Sequence, residues 1–406
     1  MIQYLSQQNP EIFRNKKVLV RLDLNVPITD GSVLTTDASR IHASLPTLRF
    51  LQDAGASITI ISHIGRKPGE SLEPVVEYMR RLIPATPQTP SSFAAPSNSS
   101  GQAHDTPPYK GGDTLRSLAT EQSTEEILPL PRGGGTEHSE VTVGSHEITI
   151  LPNLRSNPGE ELNDTAFAAS LCEDQDYYIN DAFAVSHRAH ASVVGVPTLM
   201  GHERCFAGFQ LEHEIEFLNK ALHPASPSLL IMGGAKFETK LPVIETLLPL
   251  VDHIIIGGAL LNNFLKSSGV DIGDSLIDPD AHIDHLVHNP KITIPDNLVW
   301  EDNKILDIDP EYFQHSDIGN IIKNAQTIIW NGPMGYYEGG FTAGTETLTR
   351  LLAESTGTKI IGGGDSVALI EQLKLSDKFD FLSTGGGAML EYLGNNGSLP
   401  GIDVLK

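Results

Sequence analysis

The sequence predicts an α/β fold made of two doubly wound domains with parallel sheets. Three observations favour this class. Short β-branched runs recur along the chain, they are nearly continuous in apolar residues, and each precedes a glycine or small polar turn and a helical stretch. Apolar strands that alternate with helices are typical of parallel sheets covered on both faces. The length of 406 residues, 39% of them hydrophobic, is sufficient for more than one core.

Eight strands are predicted in order, and the residues that end them divide the chain in two. The strands are Val18–Asp23, Ser57–Ser62, Tyr177–Asp181, Leu229–Met232, His253–Ile256, Thr327–Trp330, Lys359–Ile361 and Phe381–Thr384. The first three are followed by polar and basic residues, the later ones mainly by glycine. We expect a basic domain and then a glycine-rich domain, with the change over Val196–Phe206 and a helix over Phe209–Leu222. Ligands of such sheets bind beyond the carboxyl ends of the strands.

Composition excludes several classes of protein. Lys and Arg total 28 and Asp and Glu total 51, so the net charge of 28 − 51 = −23 argues against general binding to nucleic acid or anionic membranes. Two cysteines, Cys172 and Cys205, exclude a disulfide-stapled secreted scaffold and favour reduced thiols. The N-terminus does not resemble a signal peptide, and the longest apolar run, Ile254–Leu261, is far below the roughly 20 residues that cross a bilayer. We expect a cytoplasmic protein.

One segment, 84–147, has an unusual composition. Between Pro84 and Gly112, Pro, Ser, Thr and Gly supply 17 of 29 residues, and Gly133–Gly135 follows. Such a composition cannot bury a core, so we expect a flexible surface insertion, with a partner-docking arm as the alternative.

Glycine turns of the second half resemble phosphate-binding turns. Gly233 and Gly234 follow a strand, and Lys236 and Lys240 come four residues apart at the start of a helix. Glycines let backbone N–H groups approach an anion, and the helix start adds partial positive charge. The alternative is that both lysines are solvated surface residues.

Three further turns have the same pattern. Gly363, Gly364, Asp365 and Ser366 follow one strand; Asp365 could hold Mg²⁺ and Ser366 could touch a phosphate, or either could simply cap the helix. The other two turns are at Gly257, after the strand His253–Ile256, and at Gly385–Gly387, of which Gly387 is a candidate site residue. Asn331 ends another strand, and Glu338 could bind ribose hydroxyls or be an exposed acid. No P-loop, kinase catalytic loop, dinucleotide fingerprint or G-x-S-x-G motif is present.

Arginines lie beside the strand ends of the first half. Arg40, Arg66, Arg155 and Arg188, with His63 and His190, would form a pocket for a small anion, because arginine binds phosphate and carboxylate in a bidentate manner. Asp23 and Asn25 could bind a substrate hydroxyl. Each arginine alone could instead be a surface residue or an ion-pair partner. His187 and His190 do not have the histidine spacing of common zinc proteases.

Together these stretches resemble the phosphoglycerate kinase family over nearly the whole chain. The matching stretches, in family order, are Val20–Pro27, Arg40–Ile41 with Leu45–Thr47, Ser62–Arg66, Asn153–Arg155 with Gly159–Glu161, Asn180–Phe183 with His187–Ser192, Gly233–Lys236 with Lys240, Trp330–Gly335 with Glu338, Gly362–Ser366 and Ser383–Ala388. The chain departs from the family pattern at Ser156, Ala184–Ser186, Phe237–Thr239 and Asn262–Phe264, and none of these removes a charged ligand.

The resemblance implies two Rossmann-like domains joined by a hinge, with Leu399–Ile402 returning to the first. The implied boundaries are 1–195 plus 395–406 for a 3-phosphoglycerate domain and 196–394 for a nucleotide domain. Asp23, Asn25, Arg40, His63, Arg66, Arg155 and Arg188 would bind 3-phosphoglycerate. Gly233, Gly234, Lys236, Lys240, Gly257, Asn331, Glu338, Gly363, Gly364, Asp365 and Ser366 would bind ADP or ATP, with Asp365 on Mg²⁺. Arg40, Lys236, Gly364 and Gly387 would be catalytic.

The implied reaction is the reversible transfer of the acyl phosphate of 1,3-bisphosphoglycerate to Mg-ADP in glycolysis, by a monomer. Two other functions stay open. One is a catalytically impaired relative that senses these ligands through a docking insertion. The other is an unrelated acyl-phosphate kinase on a similar fold, which would act on acetate or carbamate.

Overall fold

The computed structural model describes residues 1–35, 38–65, 70–83, 139–143, 146–314 and 316–406. Its strands, in chain order, are β1 Lys17–Leu22, β2 Ser57–Ile61, β3 Ser139–Val143, β4 His146–Ile150, β5 Tyr177–Asp181, β6 Cys205–Ala207, β7 Ser228–Met232, β8 His253–Ile256, β9 Ile292–Thr293, β10 Leu298–Glu301, β11 Lys304–Ile308, β12 Thr327–Asn331, β13 Thr358–Gly362 and β14 Phe381–Leu382. All eight predicted strands are present, with ends that differ by a few residues at most.

The α-helices complete the alternation. They are α1 Ser39–Asp53, α2 Glu73–Leu82, α3 Pro158–Glu161, α4 Thr165–Cys172, α5 Val196–Met200, α6 Phe209–Leu222, α7 Phe237–Leu247, α8 Gly258–Ser267, α9 Asp284–Val287, α10 Pro310–Gln314, α11 Ser316–Asn324, α12 Ala343–Glu354, α13 Gly364–Gln372, α14 Gly386–Gly394 and α15 Pro400–Asp403. Within the described residues no helix is both long enough and apolar enough to span a membrane.

Two six-stranded sheets form among the described residues. The first has the order β3-β4-β2-β1-β5-β6 and the second the order β14-β13-β12-β7-β8-β9. Every pair of neighbouring strands is parallel except the edge pair β3–β4, and β10 and β11 form a separate antiparallel ribbon. The doubly wound α/β class is confirmed.

The edge strand β3 differs from the prediction of an insertion over 84–147. Ser139–Val143 pairs with His146–Ile150 as an antiparallel hairpin, so the end of that segment belongs to the first sheet. The sequence there alternates polar and apolar residues on both sides of Gly144 and Ser145, which is a hairpin pattern. The remainder of the predicted insertion, residues 84–138, lies outside the described residues, as does Arg66.

Core packing explains why the strands are nearly continuous in apolar residues. All residues of β7 and β12 are buried, since helices cover both faces of the second sheet. One apolar cluster fills the second domain and continues onto one face of the first sheet, where it includes Leu19 and Ile61. A separate cluster, with Val18 and Val20, fills the opposite face of the first sheet.

Helix α6 connects the two sheets and has the predicted bounds. Its first turn is held by Asp181 at the end of β5, whose Oδ1 accepts hydrogen bonds from the backbone N–H groups of Gln210 at 2.8 Å and Leu211 at 3.0 Å. The apolar face of the helix, including Leu211 and Leu218, is fully buried. The helix is therefore fixed to the first domain at its start while it packs against the second.

The buried carboxyl of Asp181 should make the free energy of unfolding depend on pH. Burial raises the pKa of its carboxyl from 3.8 to about 7, although hydrogen bonds from Thr47 and the helix N–H groups oppose the rise. The resulting stabilisation is present below pH 3.8 and is lost as pH rises through about 7. We expect wild-type stability to fall by about 2 kcal/mol more than that of Asp181→Asn between about pH 5 and about pH 8. Urea unfolding at both pH values measures this; the same change in both proteins would contradict it.

The C-terminal segment returns to the first domain, as the resemblance implies. The Gly401 N–H donates to the Ser186 carbonyl at 2.8 Å, and the Asn180 side-chain amide donates to the Gly401 carbonyl at 3.2 Å. A β-carbon at Gly401 would lie 2.4 Å from Val193 Cγ1, so only glycine fits this approach. The tail is thereby packed against residues near the end of β5.

Candidate active site

The basic side chains of the first domain lie where its parallel strands end. Asp23 and Asn25 follow β1, His63 follows β2, Arg155 lies in the turn after β4, and Arg188 follows β5. Carboxyl ends of neighbouring parallel strands share one edge of the sheet, so the topology brings these residues together. Arg66 belongs to this set by sequence and lies outside the described residues.

The charges of four arginines act on His63. Burial, the largest cause, and the charges of Arg21, Arg155, Arg188 and Arg40 together lower the pKa of His63 to about 2. His63 is only 3% exposed, and it is therefore a neutral imidazole surrounded by guanidinium groups. Such a group of cations in a protein of net charge −23 is suited to an anionic ligand.

Arg40 is placed by the first turn of α1 and reaches both domains. Its Nη1 lies 3.1 Å from Asp23 Oδ2 and donates to the Asn25 carbonyl at 3.0 Å. Its Nη2 donates to the carbonyl of Thr384 in the second domain at 3.0 Å. Thr384 comes directly before the Gly385–Gly387 turn, so one guanidinium connects the basic edge of the first sheet to a glycine turn of the second.

Backbone contacts arrange the rest of the basic site. The Asn25 side-chain oxygen accepts from the Gly65 N–H at 2.9 Å, and Arg155 Nη1 donates to the Gly65 carbonyl. Burial and the charge of Arg188 lower the pKa of Arg155 from its usual value. A cavity of about 820 Å³ opens beside these groups, and Asn25, Arg40 and Gly65 are among its lining residues. The cavity is large enough for a small metabolite.

The glycine turns of the second domain crowd together at the edge of their sheet. A β-carbon on Gly233 would lie 2.2 Å from the Pro333 carbonyl oxygen, so that position excludes any other residue. Gly363 has a φ of +96°, a conformation that glycine adopts without strain. Gly234 and Gly257 belong to the same group, since the Gly234 N–H donates to the Pro333 carbonyl and the Gly257 N–H to the end of β7 at Met232.

Two lysines face this group of turns. Lys240 is buried and its Nζ donates to Asn331 Oδ1 at 3.0 Å. Burial, and to a smaller extent the charge of Lys236, lower the pKa of Lys240 to about 8, although the charge of Asp365 opposes the fall. Lys236, Lys240 and Asp365 are thus close enough to interact, as an anion site requires. Lys236 immediately precedes α7.

Two buried polar groups of the second domain are available to bind a ligand. Within the described residues, Asn331 Nδ2 and Ser366 Oγ are buried and have no hydrogen-bond partner. Buried polar atoms normally have one. Helices α13 and α14 begin at Gly364 and Gly386 without a side-chain cap, so neither Asp365 nor Ser366 has the alternative capping role. Beside Gly364 and Gly387 a β-carbon would meet open space.

Glu338 is separate from these turns. It is exposed on a short 3₁₀ turn, Tyr337–Gly339, and within the described residues no hydrogen bond or ion pair connects it to the glycine turns. Its predicted ribose contact is compatible with this exposure and stays a prediction.

Sequence reasoning missed Arg21 and Glu214. Glu214 is fully buried on α6 and accepts hydrogen bonds from Ser383 Oγ at 2.8 Å and from the Thr384 backbone N–H at 2.8 Å. Burial raises the pKa of Glu214 to about 7. A glutamate beside Leu211, Ile215 and Leu218 on the apolar face of a predicted helix was the available signal. Arg21, within the apolar strand β1, carried the same kind of signal.

Comparisons with known proteins show the family to which the chain belongs. A family model described as phosphoglycerate kinase matches residues 9–103 and 126–396. The chain is 37% identical to the phosphoglycerate kinase of Rubrobacter xylanophilus, over 97% of this chain and 96% of the relative, and 36% identical to that of Roseiflexus castenholzii, over 96% of each. The chain is also similar to two solved phosphoglycerate kinase structures. The one from Coxiella burnetii has a TM-score of 0.74 and 29% identity, and the match covers 100% of this chain and 99% of that chain. The one from Pyrococcus horikoshii has a TM-score of 0.70 and 26% identity, and the match covers 100% of this chain and 98% of that chain.

Proposed function

Because the chain belongs to the phosphoglycerate kinase family and is an enzyme of that family, we propose that two groups of residues on facing domains carry its reaction. That reaction is the reversible transfer of the acyl phosphate of 1,3-bisphosphoglycerate to ADP, in glycolysis. The observation that supports the assignment best is the Arg40 guanidinium, which contacts Asp23 and Asn25 on one side and Thr384 on the other. The two groups therefore face one space between the domains.

The first group binds 3-phosphoglycerate. It consists of Asp23, Asn25, Arg40, His63, Arg66, Arg155 and Arg188. Arginine forks match the carboxylate and phosphate ends of this substrate, and Asp23 is suited to its hydroxyl. The mutual influence of the arginines around His63 supports this role for the described members.

The second group binds ADP or ATP. It consists of Gly233, Gly234, Lys236, Lys240, Gly257, Asn331, Glu338, Gly363, Gly364, Asp365 and Ser366. Backbone N–H groups at the uncapped starts of α13 and α14 bind phosphate oxygens, and the two lysines neutralise them. The unpartnered Asn331 and Ser366 atoms support this role.

Asp365 has the chemistry expected of a magnesium ligand in this setting. It is an exposed carboxylate at the start of α13, beside the lysines that face the phosphates. Magnesium in such sites commonly takes one or two carboxylates together with substrate phosphates. Bound there, the ion would neutralise nucleotide charge. The described residues contain no cluster of three or more Asp, Glu, His or Cys side chains that could hold a metal.

Catalysis requires alignment and charge neutralisation rather than proton transfer. The attacking atom is already an anionic oxygen, either of ADP or, in reverse, of a carboxylate, so no general base is needed. Arg40, Lys236 and the N–H groups of Gly364 and Gly387 stabilise the charge on the transferred phosphoryl group. The first domain (1–195 plus 395–406) closes against the second (196–394). This closure brings the two groups of residues together and excludes water. We propose that the enzyme works as a cytoplasmic monomer.

Turnover in a coupled assay with 3-phosphoglycerate and Mg-ATP tests this proposal. Binding of both ligands without turnover would favour the impaired sensor instead. Turnover with acetate or carbamate but not 3-phosphoglycerate would favour the unrelated acyl-phosphate kinase.

Ser366→Ala separates a ligand-binding role from a structural one. Ser366 Oγ has no internal partner in the described residues, so its removal should leave the free energy of unfolding unchanged or slightly higher. The loss of one hydrogen bond to the nucleotide should weaken ATP binding about 5-fold. Calorimetric titration and urea unfolding measure the two effects. A destabilised variant with normal ATP affinity would contradict the assignment. Ser355→Ala is the matched control, since Ser355 is a buried serine directly after α12 whose hydroxyl donates to the Leu352 carbonyl.

A further inference from the structure

Arg21 is a buried cation with no place yet in the proposed reaction. It lies on β1 and is 1% exposed. A guanidinium removed from water needs hydrogen-bond acceptors and a compensating charge, or its burial is costly. The groups that meet these needs indicate what Arg21 does.

A buried carboxylate supplies the compensating charge through a serine. Arg21 Nε donates to Ser192 Oγ at 3.0 Å, and Ser192 Oγ in turn donates to Glu160 Oε1 at 2.6 Å. The Ser192 backbone N–H also donates to Glu160 Oε2 at 2.9 Å. Glu160 is 1% exposed, and Arg21 Nη1 donates to the Leu22 carbonyl at 2.7 Å. Two hydrogen bonds from Arg21, to the Ser192 hydroxyl and to the Leu22 carbonyl, therefore fix the plane of its guanidinium, and Glu160 in turn holds Ser192.

The remaining nitrogen of Arg21 contacts His63. Arg21 Nη2 lies 3.0 Å from His63 Nδ1. A guanidinium can only donate hydrogen bonds, so Nδ1 must be the acceptor. A neutral imidazole that accepts at Nδ1 carries its proton on Nε2. Among the described residues nothing bonds to His63 Nε2. The charged groups that act on the ring are Arg21 from β1, Arg40 from α1, Arg155 from the turn after β4, and Arg188.

We propose that Arg21, held by Ser192 and Glu160, is a positioning residue that fixes His63 as the Nε2–H tautomer, so that the ring offers a hydrogen-bond donor to an anionic oxygen of the bound glycerate phosphate. The part that concerns the substrate rests on the proposed function; the part that concerns the tautomer does not. The other tautomer would present a lone pair to the anion and repel it. A protonated ring would place two donors, Nδ1–H and Arg21 Nη2–H, against each other. Arg21 and Glu160 therefore keep His63 neutral and correctly oriented without touching the substrate.

Nitrogen-15 spectroscopy of histidine-labelled protein tests the tautomer directly. The His63 signals are identified by their loss in His63→Gln. We expect a protonated Nε2 and an unprotonated Nδ1, unchanged from about pH 5.5 to about pH 8.5 although free histidine titrates in this range. A protonated Nδ1, a mixture of tautomers or a titration in this range would overturn the proposal. This result does not depend on whether the protein is an active kinase.

Kinetics test the consequence for the substrate. Arg21→Gln and Ser192→Ala should raise KM for 3-phosphoglycerate about 10-fold, the effect of one misplaced hydrogen bond to a charged group, with kcat and KM for ATP within about 3-fold of wild type. In a protein that already carries His63→Ala, Arg21→Gln should cause no further rise in KM for 3-phosphoglycerate. Ser355→Ala is the matched control for loss of a buried hydroxyl.

The variants also separate two kinds of failure. Unchanged KM in folded Arg21→Gln and Ser192→Ala, with wild-type turnover, would overturn the positioning role and leave the proposed function standing. A wild-type protein without turnover, but with the expected His63 tautomer, would overturn the proposed function and leave the tautomer assignment standing. If Arg21→Gln does not fold, Glu160→Gln tests the same chain of contacts with Arg21 in place, and a raised KM for 3-phosphoglycerate is again expected.

Discussion

Replacing Arg40 by alanine is expected to lower kcat about 100- to 1000-fold, equivalent to about 3–4 kcal/mol of transition-state stabilisation. The Arg40 guanidinium contacts Asp23 at the basic edge of the first sheet. It also contacts the carbonyl of Thr384, directly before the Gly385–Gly387 turn. Its charge is therefore available at the place between the domains where we propose that the phosphoryl group is transferred. Steady-state rates with 3-phosphoglycerate and Mg-ATP measure the effect.

Arg49→Ala is the matched control for this experiment. Arg49 lies on the same helix, α1, and is exposed, so its removal should leave kcat within about 2-fold of wild type. Arg40→Lys keeps the positive charge but not the planar fork, and should recover only part of the loss. Wild-type turnover in a folded Arg40→Ala protein, or an equal loss in Arg49→Ala, would show that Arg40 is not catalytic.

Lys236→Ala is expected to lower kcat about 100-fold, with a smaller change in affinity for ATP, because the interaction forms mainly with the transferring phosphoryl group. Lys236 precedes α7 at the glycine turn, and its charge contributes to the lowered pKa of Lys240. The substitution should therefore also raise the pKa of Lys240, which the pH dependence of amine modification detects.

Lys266→Ala provides the comparison for Lys236. Lys266 is exposed in the last turn of α8, away from the glycine turns, so its loss should change neither kcat nor the reactivity of Lys240. If kcat of Lys236→Ala matched that of Lys266→Ala, the catalytic assignment of Lys236 would fail while the binding role of Lys240 would remain.

The sequence predicted those features whose cause is local. A strand such as Leu229–Met232 is recognisable because both faces of its sheet are covered, and Gly233 is conspicuous because the backbone of Pro333 approaches too closely for a β-carbon. The bounds of α6 follow from its apolar spacing. The β3 hairpin was missed because its alternation lies at the end of a segment whose overall composition indicates no core.

The partners of Arg21 and Glu214 could not be predicted from local patterns. Each is a charged residue in an apolar element, and its partners are distant in the chain. Arg21 is linked through Ser192 to Glu160, and Glu214 is bonded to Ser383 and Thr384. Only the folded topology shows that these groups meet.

The hydrogen bonds that tie Gly401 to Ser186 and Asn180 have a consequence for biosynthesis. The ribosome releases this segment after every strand of the second sheet. The first domain, whose synthesis starts first, is therefore completed after the second. A nascent chain can complete its second domain while the first domain still lacks the Gly401 segment. The first domain therefore becomes complete only after that segment has left the ribosome.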